Sequence, residues 1–384
     1  MKFKVTVILL LLTMNLISAD VNWKKIYKYD FADAEIVNNE IIMLFSALGI
    51  ADAFIYISDD LGETSKIIDV ADQTTQFELN ENGVIYIPQR PISNTDKRYF
   101  SMIDKNRDSL KNVFEMLYAY PNYFEYIGLD RYIGTDIMDY HVLININDSS
   151  ETFISARPEG FNQSYVNMPA YDAKNNLIYL IYVDNVAFKS KDNGKSWDSV
   201  ATDLEINEDN WIFHNSAGVF YNRINIDNEF YLGRFTEEFH VHDTLLGPEP
   251  DRTPNDNAFT LTDFKISAAN EYLLVTFRKD IILYSEDYGN NFDTLNIPDE
   301  VLDSVLIDDI YINKSGKFLI NFSGEGTYYG EIDKTGIFEN IISDISIYPN
   351  PASETVNLSI KQVIHSAKIT DIFGNEIIEL SAPE

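Results

Sequence analysis

The sequence contains no cysteine among its 384 residues. Disulfide bonds are therefore excluded as a source of stability, and so are zinc sites that bind the metal through thiolates. A chain of this length without crosslinks must be stabilised by buried apolar surface. Hydrophobic residues make up 45% of the chain, with 24 Tyr and 24 Phe, which is sufficient for a large core.

Positive charge is scarce. Lys and Arg together number 29 against 61 Asp and Glu, so the formal net charge at pH 7 is −32. A surface this acidic repels the phosphates of nucleic acids and of anionic lipid headgroups. We therefore expect no nucleic acid among the partners of this protein.

Long apolar runs occur only at the N-terminus. Two lysines precede an apolar run over residues 5–12, and the segment ends in the small residues Ser18-Ala19. This order is typical of a secretory signal peptide, so we predict that residues 1–19 are removed. The run is short for a membrane anchor, and we expect no membrane-spanning segment after cleavage.

Familiar catalytic motifs are missing. The chain has no Walker-type phosphate loop, no His-Glu-x-x-His, no Gly-x-Ser-x-Gly and no cysteine nucleophile. His240 and His242 share one face of a predicted strand, but a metal site needs three or four ligands, and solvated histidines are the alternative. Acidic loops offer oxygen ligands for calcium without EF-hand spacing. We predict no cofactor and no metal.

The most informative feature that is present is an octapeptide, residues 190–197 (SKDNGKSW), which returns in weakened form about once every 45 residues. Near copies occupy residues 58–65 and 285–292, and a thinner copy spans residues 148–153. The copies share Ser, Asp and Gly at alternate positions, and most end in an aromatic residue. The residues concerned are Ser58, Asp60, Gly62, Asp148, Phe153, Ser190, Asp192, Gly194, Trp197, Ser285, Asp287, Gly289 and Phe292.

The spacing of these copies predicts where weaker ones fall. The interval from Asp148 to Asp192 is about one unit, and the intervals before and after it are about two units each. Missing copies are therefore expected near Asp104, at Glu237 and at Asp333. The chain then holds seven units, and each is long enough for four strands of about 5 to 6 residues with their turns.

An apolar, β-rich run precedes each clear copy, as at residues 54–57 and 281–284. Such a run predicts a strand, and the octapeptide predicts a tight turn after it. In that turn the Asp accepts hydrogen bonds from backbone N–H groups and the Gly adopts a positive φ. We therefore interpret the octapeptide residues as structural.

The octapeptide resembles the Asp box, or BNR repeat, of sialidase-like and sortilin-like β-propellers. The resemblance covers roughly residues 28–341. It implies an all-β fold with a seven-bladed propeller over residues 20–341. It also implies that each box lies between the third and fourth strands of a blade, away from any binding site. The resemblance therefore implies a fold and no activity.

A second module follows the repeats. Residues 345–358 (ISIYPNPASETVNL) and 367–377 (AKITDIFGNEI) predict two half-buried strands, as in an ordinary hairpin. The segment resembles the C-terminal sorting domain of the type IX secretion system, a small β-sandwich tail of Bacteroidetes-type bacteria. The motif residues are Tyr348, Pro349, Asn350, Pro351 and Gly374.

The resemblance implies that residues 342–384 engage the type IX secretion machinery. The protein is then expected to be secreted or displayed on the outer cell surface. Family tails continue into a Gly-Xaa-Tyr strand and a last basic strand, which the present sequence does not show. We therefore expect a truncated sorting domain.

Propeller topology suggests a binding site on the face opposite the boxes. Four loops that we place there contain an arginine each, namely Arg90, Arg131, Arg157 and Arg252. Converging guanidinium groups bind a carboxylate bidentately, and the resemblance to sialidases implies such a cluster. The alternative is that each arginine pairs with an acidic neighbour, as Asp130 lies beside Arg131.

Two functions follow, and they belong to different classes. The scaffold repeats and the missing catalytic signatures favour a non-catalytic propeller that binds a glycan or a protein. The alternative is a glycoside hydrolase, either sialidase-like or acting on polysaccharides, which needs two carboxyl groups about 5 to 10 Å apart across the propeller mouth. The sequence assigns no such catalytic pair.

Overall fold

The computed structural model is all-β in the part of the chain that it describes. No helix in that part has the length and hydrophobicity to cross a membrane. The described residues are 21–45, 53–70, 74, 76–89, 97–116, 123–135, 141–154, 169–182, 186–201, 213–214, 218–226, 229–235, 241–247, 265–278, 281–301, 306–332, 346–348, 357–359, 366–370 and 376–381.

The described residues of the compact unit Ser18–Ile332 form seven four-stranded antiparallel sheets, which are the blades. Blade one contains β2 (Asp33–Val37), β3 (Glu40–Phe45), β4 (Ala53–Ser58) and β5 (Lys66–Val70). Blade two contains β6 (Glu78–Leu79), β7 (Ile85–Gln89), β8 (Tyr99–Ile103) and β9 (Leu110–Glu115). Blade three contains β10 (Tyr123–Tyr126), β11 (Arg131–Thr135), β12 (His141–Asn145) and β13 (Ser150–Ile154).

The remaining blades follow in chain order. Blade four contains β14 (Ala170–Asp172), β15 (Leu177–Tyr182), β16 (Val186–Ser190) and β17 (Asp198–Ala201). Blade five contains β18 (Phe213–His214), β19 (Phe220–Ile226), β20 (Glu229–Phe235) and β21 (Val241–Leu246). Blade six contains β22 (Ile266–Ala269), β23 (Tyr272–Arg278), β24 (Ile281–Ser285) and β25 (Asp293–Leu295).

Blade seven is built from both ends of the propeller segment. Its first three strands are β26 (Ile307–Ile312), β27 (Phe318–Phe322) and β28 (Gly326–Ile332). Its outermost strand is β1 (Val21–Tyr27), which pairs antiparallel with β28 from Val21 opposite Ile332 to Tyr27 opposite Thr327. The first described strand of the chain therefore closes the ring.

The first strand of each blade lies at the axis. Contacts join the first strands of neighbouring blades around the ring, as between β22 and β26, β26 and β2, and β6 and β10. The predicted all-β, seven-bladed propeller is confirmed. The prediction of a last box at Asp333 and Phe338 concerns residues outside the described part, and the fourth strand of blade seven comes from the N-terminal end instead.

Apolar side chains between blades hold the ring together. The second strands are buried along their length, as β3 (EIIMLF) and β27 (FLINF) show, because both faces of a blade pack on a neighbour. Between blades one and two, Ile42, Leu44 and Ile55 pack with Phe77 and Ile87. Each such side chain contributes roughly 1.5–3 kcal/mol when fully buried, so packing replaces disulfides.

The C-terminal residues belong to a separate compact unit that includes residues 333–384. Two antiparallel hairpins are described there. One joins β29 (Ser346–Tyr348) to β30 (Asn357–Ser359), and the other joins β31 (Ser366–Thr370) to β32 (Glu376–Ser381). Tyr348 ends β29, whereas Pro349, Asn350, Pro351 and Gly374 lie outside the described residues.

Candidate functional site

Three octapeptide turns connect the third and fourth strands of blades one, four and six. In the turn of blade four, the Ser190 Oγ donates to Asp192 Oδ1 at 2.8 Å and accepts from the Gly194 N–H at 2.8 Å. Asp192 also accepts from the Ser196 N–H at 2.9 Å and from the Ser196 hydroxyl at 2.6 Å. The turn is therefore closed by its own side chains.

The other two clear copies repeat this hydrogen-bond pattern. Ser58 and Asp60 bond the Gly62 and Thr64 N–H groups, and Ser285 and Asp287 bond those of Gly289 and Asn291. Each glycine has a positive φ, between 82° and 88°. The hydrogen bonds from Ser196 and Thr64 lower the pKa of Asp192 and of Asp60 to about 2. The hydrogen bonds of these side chains are thus made within the turn.

Weaker copies form simpler turns. In blade three, Asp148 accepts from the Ser150 N–H at 3.1 Å and from the Ser150 hydroxyl. In blade two, Asp104 accepts from the Asn106 N–H at 3.0 Å and pairs with Lys111. Glu237 lies outside the described residues, and the side chain of Phe153 is not described.

The two ends of the ring differ in the length of their connections. Antiparallel strands place the first turn and the third turn of each blade at one end, which we call the turn face. The connections between blades leave from the other end, which we call the opposite face. The longest connections all join blades there: residues 155–169 between β13 and β14, 202–212 between β17 and β18, 247–265 between β21 and β22, and 296–306 between β25 and β26.

The predicted arginine cluster is only partly located. Arg131 begins β11 opposite Asn145, and its Nε donates to the Gly128 carbonyl at 3.3 Å. It therefore lies on the turn face, although we expected it on the opposite face. Its neighbour Asp130 accepts from the Asn80 side chain at 2.7 Å. Arg90, Arg157 and Arg252 lie outside the described residues.

Metal ligation finds no support in the described part of the chain, where no three His, Asp or Glu side chains are grouped to hold an ion. His240 lies outside the described residues, and the side chain of His242 is not described.

A cluster that sequence reasoning missed lies at the axis. Five carboxyl groups belong to the first strands of blades seven, one, two and three, and we call them the axial carboxyls: Asp33, Glu35, Glu78, Glu125 and Asp309. Along β2, Asp33 and Glu35 remain partly accessible, while the alternate residues Ala34 and Ile36 are buried against blade seven. Period-two alternation therefore directs the acids away from the apolar interface.

The axial carboxyls influence one another's pKa across blades. Glu125 of blade three acts on Glu35 of blade one, although these blades are not neighbours. Asp309 of blade seven and Glu78 of blade two both interact with Asp33. The five groups therefore form one electrostatically coupled set on the first strands of four consecutive blades.

Burial raises the pKa of these groups. The pKa of Asp33 is raised to about 8, that of Glu35 to about 7 and that of Asp309 to about 6, in each case mainly by loss of solvent. The pKa of Glu78 is well above its usual range because of burial and repulsion from Glu125. Carboxylic acids in this environment hold protons near neutral pH.

The sequence contains a signal for this cluster. Glu35, Glu78 and Glu125 recur at about the blade spacing, each in the first strand of its blade. The octapeptide marks the turn before the fourth strand, whereas these acids lie in first strands. The octapeptide pattern alone therefore does not predict them.

The comparisons with known proteins support the fold and the tail. A family described as the secretion system C-terminal sorting domain matches residues 346–383. No curated protein matches the chain. Because of its sorting domain, the chain is a secreted or outer cell-surface protein that interacts with secretion machinery.

Solved propellers resemble the structure at low sequence identity. YCF48 from Cyanidioschyzon merolae has a TM-score of 0.54 and 10% identity, covering 80% of this chain and 98% of that chain. YCF48 bound to D1 peptide has a TM-score of 0.52 and 8% identity, covering 82% and 98%. The C-terminal WD40 domain of Sif2 has a TM-score of 0.49 and 10% identity, covering 81% and 98%.

Proposed function

We propose that this chain is a non-catalytic, extracellular binding propeller that recognises a protein or glycan through its opposite face. The observation that carries this proposal is the contrast between the two ends of the ring. The turn face is occupied by turns closed on themselves, whereas the longest connections between blades belong to the opposite face. Binding residues are found disproportionately on loops that a rigid scaffold positions.

A protein or peptide is the first ligand class to test. One propeller of similar fold is described as bound to a peptide, and the net charge of −32 favours ligands with basic side chains. Arg90, Arg157 and Arg252 remain predicted contacts for an acidic group on the ligand. The resemblance of the octapeptide turns to Asp boxes supports assigning this propeller to the sialidase-like and sortilin-like class.

The experiment compares the two faces directly. The full chain without residues 1–19 is applied to arrays of glycans and of basic and acidic peptides. In one variant residues 155–169 are replaced by a Gly/Ser linker of equal length, and in a matched control the exposed Lys191 and Lys195 on the turn face become Ala. We expect at least a tenfold loss of binding in the first variant and none in the control. Loss in the control alone would contradict the proposal.

A glycoside hydrolase is the second candidate, and the axial carboxyls favour it. Glycosidases use one carboxylic acid that is protonated near neutral pH and a second carboxylate, which is the chemistry that burial gives to this cluster. The sialidase-like form is weakened because Arg131 lies on the turn face. Hydrolysis of chromogenic glycosides that Glu35→Gln abolishes would favour this candidate, and binding without turnover would favour the first.

A further inference from the structure

The axial carboxyls lie on both sides of the ring closure between blades seven and one. We propose that proton loss from Asp33, Glu35, Glu78 and Asp309 loosens the inner edge of blades seven, one, two and three. The propeller is then held most tightly in mildly acidic solution and opens locally around its closure in alkaline solution. This inference concerns the scaffold and is independent of the ligand proposed above.

Side chains of the axial layer connect neighbouring blades. Tyr311 of blade seven accepts from the Ile36 N–H of blade one at 3.3 Å and hydrogen-bonds the Glu35 carboxyl group. Asp33 of blade one accepts from the Phe77 N–H of blade two at 2.8 Å. These donors favour the ionised carboxyls, so the loosening expected at the blade interfaces comes from repulsion between the charges and from their loss of solvent.

A second set of bonds continues into blade three. The Gln76 side chain donates to the Phe124 carbonyl at 2.9 Å and accepts from the Phe124 N–H at 3.1 Å. The same amide donates to Glu78 at 3.3 Å. The carboxyl of Glu78 is thus part of the link between blades two and three.

Negative charge outweighs positive charge around this layer. The groups that act on the four titrating carboxyls are Glu125 from blade three, Asp308 and Tyr311 from blade seven, Lys314 beside Glu35, and Lys265 beside Asp309. Around this layer there are therefore two lysines and six carboxyl groups. Full ionisation leaves most of the negative charge without a counter-ion from the protein.

The direction of the pKa shifts determines whether stability rises or falls with pH. A carboxyl whose pKa is higher in the folded protein than in the unfolded chain binds its proton more tightly when folded. Its stabilising contribution is fully present below the unfolded value near 4. It is lost as the pH rises through the folded values of about 6 to 8. Loosening is therefore expected between pH 6 and about 8.5.

Hydrogen exchange of the full chain, read peptide by peptide by mass spectrometry, tests this inference. After correction for the intrinsic pH dependence of exchange, β2 and β26 should exchange at least about tenfold faster at pH 8.5 than at pH 6, since one pKa unit corresponds to a factor of ten. The strands β19 and β20 of blade five carry none of the axial carboxyls and serve as an internal reference. Their corrected rates should stay unchanged.

Variants with one charge removed identify the cause. Glu35→Gln keeps an acceptor for Tyr311, and Asp309→Asn is a second variant should the first fold poorly. Either should reduce the acceleration in β2 and β26 to below about threefold. Asp69→Asn on the exposed outer strand of blade one removes the same charge and should leave the acceleration intact. Equal acceleration in blade five, or an unchanged response in both axial variants, would overturn the inference.

Discussion

At the scale of single residues, Gly62 is constrained by its backbone and by its surroundings. Its φ is +88°, and a Cβ atom at this position would lie 2.6 Å from Cδ1 of Ile26 on the closing strand. Gly83 has a similar φ of +73°, but no atom lies within 4 Å of its Cβ position. The two glycines therefore separate the cost of backbone strain from the cost of crowding.

We expect Gly62→Ala to destabilise the propeller more than Gly83→Ala. Both substitutions place an L-residue in the left-handed region, which costs roughly 1–2 kcal/mol. Only Gly62→Ala adds a steric conflict, which costs about 1 kcal/mol more after Ile26 shifts. Urea unfolding followed by tryptophan fluorescence measures both values. Equal losses of unfolding free energy would show that Ile26 moves aside without cost.

The sequence predicts the roles of some individual residues and not those of others. The roles of Asp192 and Gly194 follow from the turn that a Ser-x-Asp-x-Gly spacing forms, because all the partners are local. The environment of Glu35 depends on blades seven and three, far away in the chain. Local spacing contains no information on such partners, so the pKa of Glu35 could not be predicted.

Between structural elements, one ion pair connects blades one and two. Arg107 donates through Nε and Nη2 to the two oxygens of Glu40, at 2.8 and 2.7 Å, and through Nη1 to the Gly83 carbonyl at 2.6 Å. The exposed fractions of the two side chains are 11% and 23%. Lys97 and Glu115 form an exposed ion pair within blade two, with exposed fractions of 45% and 46%.

A double-mutant cycle should show strong coupling for the first pair and weak coupling for the second. Arg107→Gln and Glu40→Gln are expected to interact by about 1–3 kcal/mol in unfolding free energy, because each variant leaves the other group half-buried and uncompensated. Lys97→Gln and Glu115→Gln should interact by less than about 1 kcal/mol, since water screens both charges. Comparable coupling energies would mean that burial does not strengthen the Arg107 pair.

The third strands that precede the octapeptide copies were predicted by their apolar runs, and the spacing of the octapeptides predicted the blade number. The closing strand was missed because Val21–Tyr27 precedes the first repeat and no octapeptide follows it. Its residues are mostly exposed or half-buried, as suits an outer strand, but an outer strand finds its place only by pairing with β28. Such pairing is a long-range contact that no local pattern encodes.

Considering the whole molecule, the propeller and the tail should separate cleanly. We expect that deletion of residues 346–384 leaves the thermal unfolding of the propeller unchanged, because Ser18–Ile332 is a compact unit of its own. The same deletion should retain the protein inside the cell, because the matched sorting domain is removed. Fractionation of a host with the secretion system measures the second effect.

The reciprocal experiment is a fusion of residues 342–384 to an unrelated exported protein. Appearance of this fusion outside the cell would show that the segment is a working sorting signal. Its retention, together with secretion of the deleted propeller, would contradict the prediction. The fold and the destination were thus accessible from repeats and a tail motif. The ligand could not be predicted, because the residues of the longest opposite-face connections do not repeat along the chain.

Pairing of Val21 with Ile332 also dictates an order of events during synthesis. The strand that is made first has no partner until the ribosome has finished the last blade. At about 5 to 20 residues per second, this delay is on the order of half a minute. A chain that is truncated before β28 therefore forms an open arc in which β1 has no pairing strand. Only a polypeptide that includes β28 can close the ring in this way.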